Sequence, residues 1–261
     1  MVRTLLIRGM LCGLVAGLLV FGFAKVFGEP QVDHAIAFET AMDDAKVRAD
    51  AARGIHDMQE PVLVSRPMQA SLGLLTGVMV YSTAFGGLFA LVFAYANGRI
   101  SRLRLSARTV SALLALTGLI AVYVVPNLKY PANPPSVGQP ETIGLRTALY
   151  FTMMALSIAA MVFAAVLRTR LAPKHGVWTA ALAAAAFYVV AVAVVAAVLP
   201  PINEVPSDFP ALVLWRFRID SLAMQIIMWA TLGLGFGAVT ERAAAARQIY
   251  GRNQTMSPGW R

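Results

Sequence analysis

Cysteine occurs once in the 261 residues and histidine three times. Cys12 lies inside an apolar run, so neither a disulfide framework nor a cysteine-rich metal site can be assembled. It reads as a packing residue. Charge is scarce as well: Asp, Glu, Lys and Arg make up 13% of the chain, against about 25% in a soluble domain. With 58% hydrophobic residues and a mean hydropathy of +0.67, an ordinary soluble fold is excluded. Nucleotide-binding and hydrolase signatures are missing too. There is no P-loop, no His-Glu-x-x-His and no Gly-x-Ser-x-Gly, so ATP hydrolysis and common hydrolase chemistry lack their parts. The expectation is a protein that is not an enzyme and holds no tightly bound cofactor. No acidic residue stands mid-span, where proton-coupled pumps usually place one.

What the chain does have is apolar length. Six runs, about 9–27, 68–96, 109–126, 143–167, 177–199 and 219–240, are each suited to cross the hydrocarbon layer, which takes about 20 helical residues. They predict an all-α, polytopic integral membrane protein of one six-helix domain over 1–240, its physical partner the lipid bilayer. The first run exceeds a signal-peptide core, and no small-x-small cleavage site closes it. Gly9, Gly13 and Gly17 recur every four residues, and Gly73 with Gly77 repeats the spacing, a pattern that lets helices approach closely. Tyr81, Ser82 and Thr83 are expected to bond within their own helix.

Lys and Arg orient the spans, because positive residues stay on the cytoplasmic side. The N-terminus, the turns at 97–108 and 168–176, and the basic tail 241–261 hold thirteen of the twenty-two. Both termini are therefore expected in the cytoplasm, and the net charge of +9 reports orientation and not nucleic-acid binding. Eight of the thirteen acidic residues fall in the polar segment 28–67, which the count places outside. That segment is expected to form an amphipathic helix against the membrane surface or the bundle, closed by Gly54 and Pro61. The outer face is acidic and attracts cations.

The densest chemistry begins at Gly28. If Pro30 opens a helix, Glu29 and Asp33 stand one turn apart with His34 beside them. Each outward-going span ends in a proline-containing loop: Glu29-Pro30, then Pro131-Ala132-Asn133-Pro134-Pro135, then Asn203-Glu204-Val205-Pro206. Rigid loops hold carboxylate, amide and carbonyl oxygens in place, as cation capture requires, although prolines also simply terminate helices. On this reading Glu29, Asp33, His34, Asn133, Asn203 and Glu204 are candidate metal ligands around one outer vestibule. Pro30, Pro131, Pro134 and Pro135 brace it. Oxygen donors with one imidazole and no thiolate suit cobalt, nickel, manganese or magnesium better than copper(I). His56 and His175 have no ligand partners at metal-site spacing. Trp215, Arg216 and Arg218 read first as an interfacial belt, with Arg216 and Asp220 paired four residues apart. Alternatively they shape the vestibule or hold its loops closed.

The stretches Gly28-Glu29-Pro30-Gln31-Val32-Asp33, Ala35-Ile36-Ala37-Phe38-Glu39, Lys129-Tyr130-Pro131-Ala132-Asn133-Pro134-Pro135, Asn203-Glu204-Val205-Pro206 and Leu214-Trp215-Arg216-Phe217-Arg218 together resemble the CbtA family, predicted cobalt transporter subunits of bacteria. The resemblance covers nearly the whole chain. It implies entry of Co²⁺ for cobalamin synthesis across the bacterial inner membrane, beside CbtB, a small single-span partner with a histidine-rich segment. Among the candidate ligands it puts the weight on Glu29, Asp33, Asn133, Asn203 and Glu204. The rival reading is a non-transporting membrane scaffold that assembles a partner protein.

Overall fold

The computed structural model describes residues 2–54, 64–100, 105–135 and 137–255, residues 99–100 and 247–255 by backbone alone. His56, Pro61, Arg102 and Arg104 lie outside the described residues. Six helices are long and apolar enough to cross a membrane: α1 Val2–Ala51, α2 Arg66–Gly98, α3 Ala107–Lys129, α4 Pro140–His175, α5 Val177–Val198 and α6 Ala211–Ala246. No strand occurs among the described residues. The all-α, six-span reading holds, as it must where no water is available to bond a free N–H or C=O.

Several helices outrun their apolar stretches. The basic residues Arg168, Arg170, Lys174 and His175, expected in a turn, form the last turns of α4, and Gly176 alone connects it to α5. The backbone of the basic tail stays helical to Thr255. In α1, fifty residues at about 1.5 Å each run well past the need of a bilayer, and the polar residues 29–51 are the surplus. Only the first turns of that surplus pack: Gln31 and Ala35 are buried, whereas residues 39–49 are all exposed.

Two prolines behave differently from expectation. Pro30 does not open a helix, and Pro126 does not end one, since both lie inside continuous helices. A proline ring has no N–H to donate and crowds the carbonyl four residues earlier. In both helices the turn just upstream is π-helical, Ala24–Gly28 before Pro30 and Leu119–Val124 before Pro126. The wider turn moves that carbonyl out of the way.

The chain divides into two compact units. The first comprises Met1–Phe23, Met68–Leu116 and Met224–Arg261. Its central contact is the glycine face of α1, where a methyl group at Gly9 would collide with the Gly86 carbonyl and one at Gly13 with the Ser82 carbonyl. The partner surface is Ser82 and Gly86. The spacing of Gly73 and Gly77 does not serve the same purpose, since a methyl at Gly77 would meet open space. As expected, Ser82 donates within its own helix, to the Val78 carbonyl at 2.6 Å. Aromatic edges seal α2 to α6, with Phe85 on Trp229 at 5.0 Å and Phe93 on Phe236 at 5.1 Å between ring centroids. Arg108 and Glu241 pair at 3.5 Å where α3 begins.

The second unit comprises Ala24–Pro67 and Thr117–Ala223. Met153 and Ala164 of α4 pack with Ala184 and Tyr188 of α5 and Val125 of α3, and Ser157 Oγ and Tyr188 Oη share a buried hydrogen bond of 2.8 Å. A separate cluster joins Ala35 and Phe38 of α1 to Val137 and Phe209 of the loops. The α1 face beyond Pro30 therefore rests on the loops that follow α3 and α5.

Because Gly13 meets backbone and not a movable side chain, Gly13→Ala is expected to destabilise the protein by about 1–3 kcal/mol. Gly77→Ala, set in open space, should leave it unchanged or slightly firmer. Thermal unfolding of the two variants in detergent micelles checks the contrast.

Candidate functional site

The six candidate ligands fall into two places. Glu29 stands in the first turn after the π-helical segment of α1, and Asp33 one turn later. Both are held by Arg66, the first residue of α2. Its Nη2 pairs with the Glu29 carboxylate and lies 2.9 Å from Asp33 Oδ1, while its Nε donates to the same oxygen at 3.0 Å. Glu29 is the enclosed member, its side chain 12% exposed against 62% for Asp33. His34 is exposed on the adjoining face.

Asn133, Asn203 and Glu204 instead line a cavity of about 470 Å³ formed by α3, α4, α6 and the loops after α3 and α5. Glu29, Asp33 and His34 are not among its lining residues. The second and third proline-containing loops thus share one vestibule, and the first contributes the separate Arg66 pair. Among the described residues no three His, Cys, Asp or Glu side chains converge to hold a metal ion.

The cavity's frame is built by arginines. Arg146, one turn inside α4, reaches the carbonyls of Val137 and Gln139 at 3.5 and 3.3 Å, and its Nε lies 3.4 Å from Glu204 Oε2. Glu204 also accepts the Gln139 N–H at 2.8 Å, so one carboxylate and one guanidinium fasten the two loops together. Arg218 donates from Nε to the Ala132 carbonyl at 3.2 Å and from Nη2 to Asn133 Oδ1 at 2.9 Å. Asn127 Oδ1 accepts the Ala132 N–H, and Tyr130 Oη donates to the Pro200 carbonyl at 2.9 Å. Asn203 Oδ1 takes the Val205 N–H at 3.4 Å. Of the brace residues, Pro131 lines the cavity, Pro134 is buried and Pro135 is exposed.

Of the cluster Trp215, Arg216 and Arg218, the last holds a loop, while Trp215 and Arg216 are exposed. Arg216 and Asp220 share a helix face but form no ion pair among the described residues. Glu204 draws Arg146 and neither Arg216 nor Arg218. The Glu204 carboxyl is held below the ordinary carboxylate value, chiefly by the Thr142 hydroxyl and the Gln139 N–H, with Arg146 adding to them against partial desolvation. Charge in this cavity therefore amounts to two guanidiniums against one carboxylate already engaged.

Arg66, Arg146, Tyr123 and Asn127 were not singled out from sequence. One signal for the arginines was present: both stand on the face to which the charge count assigns few positive residues.

Six apolar helices carrying a polar vestibule at their loop ends define a multi-pass α-helical membrane protein. The chain belongs to the CbtA family, whose description is probable cobalt transporter subunit and whose model matches residues 2–241. Searches of curated proteins and of solved structures found no match.

Two outcomes test the loop fastening. Gly138 has φ +125° and any Cβ there would strike the Arg146 guanidinium. Gly138→Ala is expected to cost about 1–3 kcal/mol through strain alone and to raise protease cleavage within 131–142. Because the folded value of Glu204 is depressed, its contribution is complete above the ordinary value of 4.5 and fades as pH falls through the lower folded one. Glu204→Gln should therefore lower the unfolding temperature at neutral pH, with the gap to the parent closing only in acid below 4.5.

Proposed function

We propose that this chain is the membrane subunit through which Co²⁺ enters a bacterial cell for cobalamin synthesis. It lies in the inner membrane as a single six-span domain with both termini cytoplasmic, beside a small histidine-rich single-span partner of the CbtB kind. The observation that carries the reading is kinship with cobalt transporter subunits over residues 2–241. The charge count supports it, since it assigns the acidic segment 28–67 to the face away from the basic turns, where it would raise the local concentration of cations.

Capture is assigned to Glu29 and Asp33. One cation, Arg66, already bridges the two carboxylates, so the pair is arranged to neutralise positive charge. A metal ion must displace the guanidinium to enter, exchanging some of its water for carboxylate oxygen, with His34 near enough in sequence to assist. Asn133, Asn203 and Glu204 form the second polar station. Glu204 is less suited to a bare cation because Arg146 already opposes its charge.

A non-transporting scaffold is favoured by one feature, the run of exposed residues over 40–49, which suits docking of a partner. Cobalt accumulation at limiting Co²⁺, in cells lacking other importers, separates the two readings. Uptake should require the chain, should fall about tenfold or more in Glu29→Ala at matched abundance, and should change in Arg66→Gln, which frees both carboxylates. No chain-dependent uptake, with or without the partner, overturns the transport reading and leaves the scaffold.

A further inference from the structure

The cavity between the second and third loops has the wrong charge for a bare cation. Its ionic lining is Arg146 and Arg218 against Glu204, and Arg218 has no carboxylate partner among the described residues. It spends two of its five N–H donors on Ala132 and Asn133, leaving the guanidinium charge uncompensated. Arg146 Nε is buried in the same wall without a hydrogen-bond partner. Nε lies near Glu204 but is not aligned to donate to it. Buried donors left unmade are costly, and a native protein retains them where something else satisfies them.

The shape of the site narrows the ligand. A cation with six waters would occupy about 180 Å³ at ~30 Å³ per water, well under the 470 Å³ available. Volumes of this order belong to sites for small organic molecules, which pair apolar walls with a few fixed polar groups. Ile143, Phe151 and Ile202 supply such walls. A guanidinium fork matches a carboxylate in two parallel hydrogen bonds. One net positive charge with apolar walls fits a carbon skeleton bearing carboxylates better than a bare inorganic anion.

We propose that this cavity binds a small polycarboxylate, either free or carrying a divalent metal as an anionic chelate. The second form rests on the transport reading and would make the chelate, not the hydrated ion, what the vestibule receives. The anion site itself stands without that reading.

The test is equilibrium binding of radiolabelled citrate to the purified full chain in lipid nanodiscs, alone and with equimolar Co²⁺, with inorganic phosphate and cobalt chloride as competitors. Citrate is expected to bind, and Arg218→Gln to weaken it tenfold or more, with Arg218→Lys between. Since Arg218 also holds a loop, Thr147→Asp provides the second variant. Thr147 lines the cavity from an exposed position, and its new charge should repel citrate without disturbing Arg218. Comparing citrate with its cobalt complex tells which form is preferred, and saturable binding of either supports the site. Absence of binding by both, indifference to Arg218→Gln and Thr147→Asp, or displacement by phosphate as effective as by citrate would overturn the proposal. Carboxylate binding in a chain that supports no cobalt uptake would leave the site standing and sink only the transport reading. Uptake without carboxylate binding would do the reverse.

Discussion

The absence of water from the hydrocarbon layer is the constraint on which this architecture depends. Every N–H and C=O at that depth must be bonded within the protein, so each apolar run becomes a helix, and an interruption has to be absorbed without a loop. Pro30 and Pro126 show how. Each follows a π-helical turn that accommodates the missing donor and the crowded carbonyl, and the helix continues. The consequence is functional placement: α1 emerges with Glu29 and Asp33 on successive turns, and α3 carries Tyr123 within its π-helical turn and Asn127 one turn on, both in the wall of the cavity.

Where water returns, the burden passes from backbone ladders to arginine. Loops stiffened by proline have few N–H groups of their own, so their carbonyls are bonded by side chains reaching from helices. Arg146 serves Val137 and Gln139, Arg218 serves Ala132, and Tyr130 ties the loop after α3 to Pro200. A guanidinium suits the task because its donors are fixed in a plane and it stays charged at any accessible pH. The same choice sets the cavity's electrostatics. Residues that hold the loops also leave positive charge facing the space they enclose.

The Arg66 pair follows a different logic. Two carboxylates one helical turn apart repel unless a cation lies between them, and the start of α2 supplies one. Glu29 is enclosed and Asp33 open to solvent, so the pair is graded from the outside inward. The charge that satisfies this site is intramolecular, supplied by Arg66.

Composition alone determined the class of this protein and the number of its spans, because run length and hydropathy are local properties and the bilayer reads them locally. The close approach of α1 to another helix was also legible, since glycine every fourth residue makes a groove whatever the partner. Its partner was not: Ser82 and Gly86 fill the groove, because contact depends on the depth at which two helices cross. Nor was the division of the candidate ligands. Glu29 and Asp33 meet an arginine more than thirty residues away, and Glu204 meets one from the far side of two helices. Those pairings decide which carboxylates have charge to spare. They arise only when loops distant in sequence are brought to one place, which is a property of the tertiary fold and not of any stretch within it.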